Sequence, residues 1–253
     1  MDASAFRSTT DFGDLLDGLS PRERTRLQET LTSVPEGVAR ALEIGFNDFR
    51  MTRALSRIAD VVSIDLPTPS PISHTASKLV FSNIRALPFG NNAFDLIVCA
   101  EVLEHLDDST LRAGLDELRR VAANYILVTV PFEQPVQHEL FRCRHCGHEE
   151  NCMGHLRRIG EEDLKAWFSG WTLLRSRSIG EVSGYAPGWI YALSRRIGSV
   201  WFDYWTDRCP KCGASDARRQ DNVLGFVMRR IVWRLQRLAD DRPAWTLALF
   251  KRS

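Results

Sequence analysis

Two cysteine pairs carry the most explicit chemistry in this 253-residue chain. Cys143-Arg-His-Cys146-Gly147 and Cys209-Pro-Lys-Cys212-Gly213 each hold two thiols on a short turn, with glycine after the second sulfur. Two such knuckles complete the closed four-sulfur tetrahedron of structural zinc. A competing set, Cys143, Cys146, Cys152 and His155, follows C-x2-C-x5-C-x2-H spacing. The two-knuckle set is preferred because the other leaves Cys209 and Cys212 unemployed. A closed site has no open coordination position, so the metal is expected to staple a substrate-side cap and not to polarise substrate.

A second constellation runs from Ala41 to Phe132. Glu43 and Gly45 close one apolar run, Asp65 ends another, and Phe94-Asp-Leu-Ile-Val-Cys-Ala-Glu101 is a third, followed by Val-Leu-Glu104-His105. Acidic residues and a glycine at strand ends, in this order, describe an open α/β sheet with a nucleoside pocket at the carboxyl edge.

The elements that must position these groups are legible from periodicity. Ser20-Pro21 opens a helix carrying Leu27 and Leu31, within a polar lead-in over residues 1–36. Ala41–Ile44 and Val61–Asp65 read as strands joined by a helix with Met51, Ala54, Leu55 and Ile58, a βαβ unit. Pro67–His74 is a Pro/Ser loop. The continuous apolar runs Asp95–Ala100 and Tyr125–Pro131 are strands covered on both faces, with a helix marked by Leu111, Leu115, Leu118 and Val121 between them. A short helix around Leu164, Trp167 and Phe168, a strand over Trp171–Ile179 and a closing strand over Trp245–Phe250 complete the core. The expected organisation is a lead-in (1–36), a core (37–180), an insertion or cap (181–243) and a final strand (244–253). The insertion holds the second knuckle and an amphipathic segment with Leu224, Val227, Met228, Ile231, Leu235 and Leu238 on one face and Arg229, Arg230, Arg234 and Arg237 on the other.

This pattern resembles a class I S-adenosylmethionine-dependent methyltransferase of the type-11-like group. The resemblance implies a Rossmann-like, seven-stranded, mostly parallel sheet with helices on both faces, plus a zinc-knuckle and helical insertion before the last strand. It implies that Glu43 serves the methionine end, that Gly45 and Asn47 form the close turn, and that Asp65 accepts the ribose hydroxyls. Asn83 stands where such enzymes often place an acid for the adenine amino group. Ile84 would pack on adenine, and Ala100 and Glu101 would line the space below the sulfonium. The glycine-rich motif departs from the family pattern, with Asn47 and Phe49 at its second and third glycine positions. Asn tolerates positive φ, and Phe49 is expected to begin the next helix. The Gly-x-Gly-x-x-Gly fingerprint of nicotinamide enzymes is absent.

A narrower likeness joins the chain to zinc-knuckle methyltransferases of bacterial polysaccharide and glycolipid assembly. It rests on the two knuckles, Gly154-His155-Leu156-Arg157 and the aromatic terminal strand. Methyl transfer to a sugar or glycolipid hydroxyl needs a base, for which His155 and then His138 are the candidates, with His105 expected to be a packed helix-start residue. RNA or protein methylation and a non-catalytic zinc scaffold are the alternatives.

Net charge is +1, but residues 186–253 hold 13 Arg and Lys against 6 Asp, about +7. Any anionic partner would be met there. A lipid-linked glycan acceptor and peripheral membrane contact through the basic helix are the partners this favours, while the near-neutral total disfavours nucleic acid. The acidic N-terminus and reduced C-x-x-C pairs read as cytoplasmic, and no run reaches the ~18 apolar residues of a membrane span. Oligomeric state is not encoded in any of these signals.

Overall fold

The computed structural model describes residues 15–46, 49–66, 78–216 and 222–253. In chain order the first elements are α1 (Pro21–Thr32), β1 (Arg40–Ile44), α2 (Arg50–Leu55), β2 (Asp60–Asp65), β3 (Lys78–Phe81) and β4 (Phe94–Ala100). After a 3-10 turn at Leu103–His105 come α3 (Asp108–Val121), β5 (Ala122–Pro131), β6 (Leu140–Arg142) and β7 (Glu149–Asn151). The last are α4 (Glu161–Trp167), β8 (Trp171–Val182), α5 (Gly188–Gly198), α6 (Val223–Leu238) and β9 (Arg242–Arg252).

They form two compact units. The first comprises the residues up to Phe132, Ile159–Gly180 and Ala244–Ser253; the second comprises Glu133–Arg158 and Glu181–Pro243. The segment 133–158, expected within a 37–180 core, therefore groups with 181–243. Its knuckle and the later one share one set of sulfurs, which draws both segments into the same body.

The first unit is the expected α/β fold. Its seven-stranded sheet has the order β3-β2-β1-β4-β5-β9-β8, parallel from β3 to β5, with β9 antiparallel to β5. Alternate residues of the central strands feed two cores, as the twofold repeat of a strand requires. Leu42, Ile97, Ile126 and Phe250 pack with Leu111, Leu115 and Leu118 of α3 and Leu164 of α4. Ala41, Leu96, Leu127 and Leu249 pack with Leu27 and Leu31 of α1 and Ala54 and Leu55 of α2. Helices thus cover both faces. The strand order reverses between β1 and β4, the switch point where ligands of open α/β sheets bind.

Local chemistry fixes the helix starts. Ser20 and Glu23 form a reciprocal capping box at α1 with Pro21 in its first turn, and Asp107 caps α3 through the N–H groups of Ser109 and Thr110. β3 is the one strand of the expected seven that periodicity did not locate. It is a four-residue edge strand of half-buried and exposed residues, too short for periodicity to show.

In the second unit β6 and β7 form an antiparallel hairpin around the first knuckle, and Arg208 pairs with Ser215 around the second. α5 and α6 meet closely: a Cβ on Gly198 would lie 2.9 Å from Cα of Gly225. Only part of the predicted apolar face of α6, Met228 and Leu235, is packed. Gly225, Met228 and Val232 are buried with Leu235 against the unit's core, whereas Leu224, Val227, Ile231 and Leu238 are exposed. Close approach of α5 at Gly225 rotates the helix so that its smallest residue faces inward.

Candidate functional site

The site of the first unit is built on the carboxyl ends of β1, β2 and β4. Gly45 leaves β1 with φ +82°, a conformation glycine adopts without strain, and its N–H continues the ladder to Ile64 O at 2.8 Å. A Cβ there would stand 2.8 Å from Cγ2 of Val102, so the β1 turn and the β4 exit are in contact. Asp65 ends β2 half-buried. Its Oδ2 accepts Phe46 N–H at 3.1 Å and its Oδ1 accepts Leu66 N–H at 2.7 Å. Among the described residues, one N–H reaches each oxygen, which leaves lone pairs on both, the requirement for receiving a vicinal diol.

Glu43 is buried one residue before the end of β1. Its Oε2 accepts Ser63 Oγ–H at 2.6 Å and Thr52 Oγ1–H at 2.5 Å, linking β1, β2 and α2 beneath the turn. Asn47 lies outside the described residues. Phe49 does not begin α2; it is the residue before it, at φ +60°, with its ring stacked on Phe46 at 5.1 Å. A bulky residue thus adopts the left-handed conformation that glycine takes most easily, at a cost of roughly 1–2 kcal/mol.

Asn83 is exposed and accepts Arg85 N–H through Oδ1 at 3.0 Å. Ile84 is 7% exposed and sits in the core, where a Cβ on Gly114 of α3 would touch it at 3.2 Å. It shores up the loop from below and has little surface left to lay on a base.

Ala100, half-buried, pairs in register with Thr129 of β5, and Glu101 leaves the strand at φ +57° with its N–H on Thr129 O at 2.9 Å. Glu101 Oε2 accepts Trp245 Nε1–H at 2.6 Å and faces Arg26 Nη1 at 3.6 Å. Arg26 also lies over the Trp245 ring, 5.1 Å from its centre. The lead-in helix and the last strand therefore both reach the β4 exit. Arg26 and Trp245 went unrecognised in the sequence because no motif spacing links residues so far apart.

Beside this carboxylate lies Glu104, 1% exposed, neither of whose oxygens has a hydrogen-bond partner among the described residues. Burial, and then the charge of Glu101, push its carboxyl well above the usual range. Burial pushes Glu101 up to about 7, against the opposing pull of Arg26 and Trp245. The Thr129 hydroxyl is near enough to favour the ionised form without making a regular hydrogen bond. Two carboxyl groups held this way can retain or accept a proton near neutral pH.

In the second unit the four knuckle cysteines converge. Cys143 and Cys212 sulfurs are 3.7 Å apart, as are those of Cys146 and Cys209, and all four lie within 4.8 Å of one another. Tetrahedral zinc with Zn–S bonds of about 2.3 Å places its sulfurs about 3.8 Å apart, so the donor set and spacing fit. Gly147 (φ +73°) and Gly213 (φ +70°) turn each loop so that their N–H groups reach Cys143 O and Cys209 O. Burial opposes ionisation of Cys143, but the N–H groups of Cys146 and His145 overcome it and bring the thiol down to about 6. Arg144 and Asp216 join the knuckles by an ion pair at 2.5 Å. Cys152 is outside this cluster, its thiol pushed up to about 12 by burial.

His155 and His138 both belong to the second unit. His155 is 9% exposed, with Nδ1 2.7 Å from Gln134 Oε1. His138 is stacked on Tyr191 at 4.6 Å and edge-on to Tyr185; burial, Arg195 and Arg242 lower its pKa. These contacts make His138 part of an aromatic core. His105, expected to be packed at a helix start, is exposed in the 3-10 turn after β4.

Residues 42–124 match the family of methyltransferase domains, the stretch that contains β1 to β4 and α3. An uncharacterized protein of Methanocaldococcus jannaschii is 40% identical over 67 residues, 25% of this chain and 28% of that protein, so the chain spans little more than a quarter of the curated relative it matches. Among solved structures, a Bacillus halodurans candidate methyltransferase aligns with TM-score 0.55 and 14% identity, over 89% of this chain and 98% of its own. The N-methyltransferase NodS of Bradyrhizobium japonicum, solved with S-adenosyl-L-homocysteine, aligns with TM-score 0.51 and 18% identity, over 96% and 93%. At these identities the structural likeness is one of fold.

Proposed function

We propose that the protein is an S-adenosylmethionine-dependent methyltransferase whose acceptor is a small molecule, a sugar or glycolipid hydroxyl, and that the four cysteines hold a structural zinc ion. The observation that carries the first part is the Asp65 carboxylate at the Gly45 turn, at the sheet's switch point, inside the stretch that matches the methyltransferase family. The bound cofactor supplies an electrophilic methyl group on a sulfonium.

The protein's part is alignment and proton management. Asp65 receives the ribose diol, Gly45 permits close approach, and Glu43 braces the turn through Ser63 and Thr52. At the β4 exit, Trp245 and Arg26 hold Oε2 of Glu101 while its Oε1 is buried without a hydrogen-bond partner among the described residues, so Glu101 braces this corner of the site from within. Glu104, kept dry beside it, raises the basicity of Glu101 whenever it is itself ionised. His155 and then His138 are the proposed bases for the acceptor's proton. A closed Cys143, Cys146, Cys209 and Cys212 site leaves zinc only a structural part.

The test is release of S-adenosylhomocysteine on incubation with adenosylmethionine and fractionated bacterial glycans and glycolipids. Product in a glycan or glycolipid fraction supports the reading. Tight cofactor binding without turnover in any fraction favours a scaffold, and turnover confined to RNA or protein fractions moves the acceptor to those classes.

A further inference from the structure

The second unit exposes an unusual surface. On α5, Trp189 (65% exposed), Leu193 and Ile197 recur every four residues and form one outward stripe. On α6, Leu224, Ile231 and Leu238 recur every seven, joined by Phe226 and by Trp233, which is 57% exposed. Among them are arginines and no acids: the 16 residues of α6 contain Arg229, Arg230, Arg234 and Arg237 without one Asp or Glu. Arg230 lies over the Phe226 ring at 4.5 Å and Arg237 over the Trp233 ring at 4.7 Å, so each cation sits level with an exposed aromatic.

Large apolar side chains left in water over two adjoining helices mark an interaction face. Their chemistry chooses the partner. Protein interfaces also favour Trp, Phe and Arg, but four arginines with no acid on α6 call for an anionic partner, and an anionic bilayer surface takes Trp, Phe and Leu below the headgroups and Arg among the phosphates. Among the described residues no helix is long and apolar enough to cross a membrane, so contact would be parallel to the surface.

We propose that α5 and α6 together form a peripheral docking face for an anionic lipid bilayer, with Trp189, Phe226, Trp233 and Leu238 inserted at the headgroup boundary and Arg230, Arg234 and Arg237 on lipid phosphates. This does not rest on the methyl-transfer reading. It would bring a lipid-anchored acceptor and the enzyme to the same surface.

The test is co-sedimentation of the full chain with vesicles of phosphatidylglycerol and phosphatidylcholine, against phosphatidylcholine alone. The expected result is retention by the anionic vesicles only, weakening as salt is raised. Each arginine is worth about fivefold in partitioning, so an Arg230→Gln, Arg234→Gln, Arg237→Gln chain should lose about a hundredfold. Phe226→Ala with Trp233→Ala should lose at least about tenfold, since each ring buries apolar area only when bound. Helix content and zinc content, measured on every variant, should stay at the parent level. Equal retention by neutral vesicles, no retention at all, or variants that are folded and retained like the parent would overturn the proposal. So would a dimer abolished by Phe226→Ala and Trp233→Ala in a chain that ignores vesicles, because a second copy would then cover the face.

Discussion

Gly45 and Val102 are in contact across the switch point of the sheet: a methyl placed on Gly45 would stand 2.8 Å from Cγ2 of Val102. The turn after β1 and the exit of β4 are thus one structural piece. Gly45→Ala combines a left-handed φ with a clash, and should destabilise by roughly 2–4 kcal/mol. Combining it with Val102→Ala should recover the clash but not the φ cost, a coupling of about 1–2 kcal/mol in a thermal-unfolding double-mutant cycle. Additive effects would mean the two segments do not meet.

The sulfur spacing gives a metal prediction. Purified protein should carry zinc in a one-to-one ratio, and Cys143→Ser, Cys146→Ser, Cys209→Ser or Cys212→Ser should each remove most of it and lower the thermal transition by several degrees. Cys152→Ser and His155→Ala should retain zinc, since neither belongs to the four-sulfur cluster. Elemental analysis of the six variants decides; loss of zinc in Cys143→Ser, Cys146→Ser, Cys152→Ser and His155→Ala, with Cys209→Ser and Cys212→Ser retaining it, would select the competing ligand set.

Buried acids give a pH prediction. Folding raises Glu101 from the ordinary 4.5 to about 7 and Glu104 well above 4.5. The folded protein therefore holds protons that the unfolded chain has released, and the stability from these groups is full below about pH 4.5 and is lost as pH rises through about 7. Glu104→Gln, which cannot ionise, should be more stable than the parent at pH 8 and little changed at pH 4.5. Equal pH slopes in chemical denaturation would show that Glu104 is not a dry acid.

The legible parts of the sequence were those whose signal is local. Alternating and continuous apolar runs marked β1, β2, β4 and β5, and C-x-x-C-G spacing marked each knuckle. Convergence of the knuckles was inferred from chemistry, and the sulfur distances agree with it. What escaped was non-local or ambiguous in period. Arg26 and Trp245 meet Glu101 from opposite ends of the chain, and nothing in their neighbours announces it. α6 has apolar residues on more than one side, so periodicity showed a helix but placed only Met228 and Leu235 of its packed face; Gly225, which meets Gly198 closely, and Val232 complete that face. Ile84 looked like a residue for a flat ring and is a core residue under α3.

The most direct test of the central claim is titration calorimetry of adenosylmethionine and S-adenosylhomocysteine against the parent chain and Asp65→Ala. Losing charge-assisted bonds to two ribose hydroxyls should weaken binding by about 2–4 kcal/mol, roughly 30-fold to 1000-fold, with Asp65→Asn in between. Parent-like affinity in a folded Asp65→Ala chain, or no binding by the parent, would contradict the account.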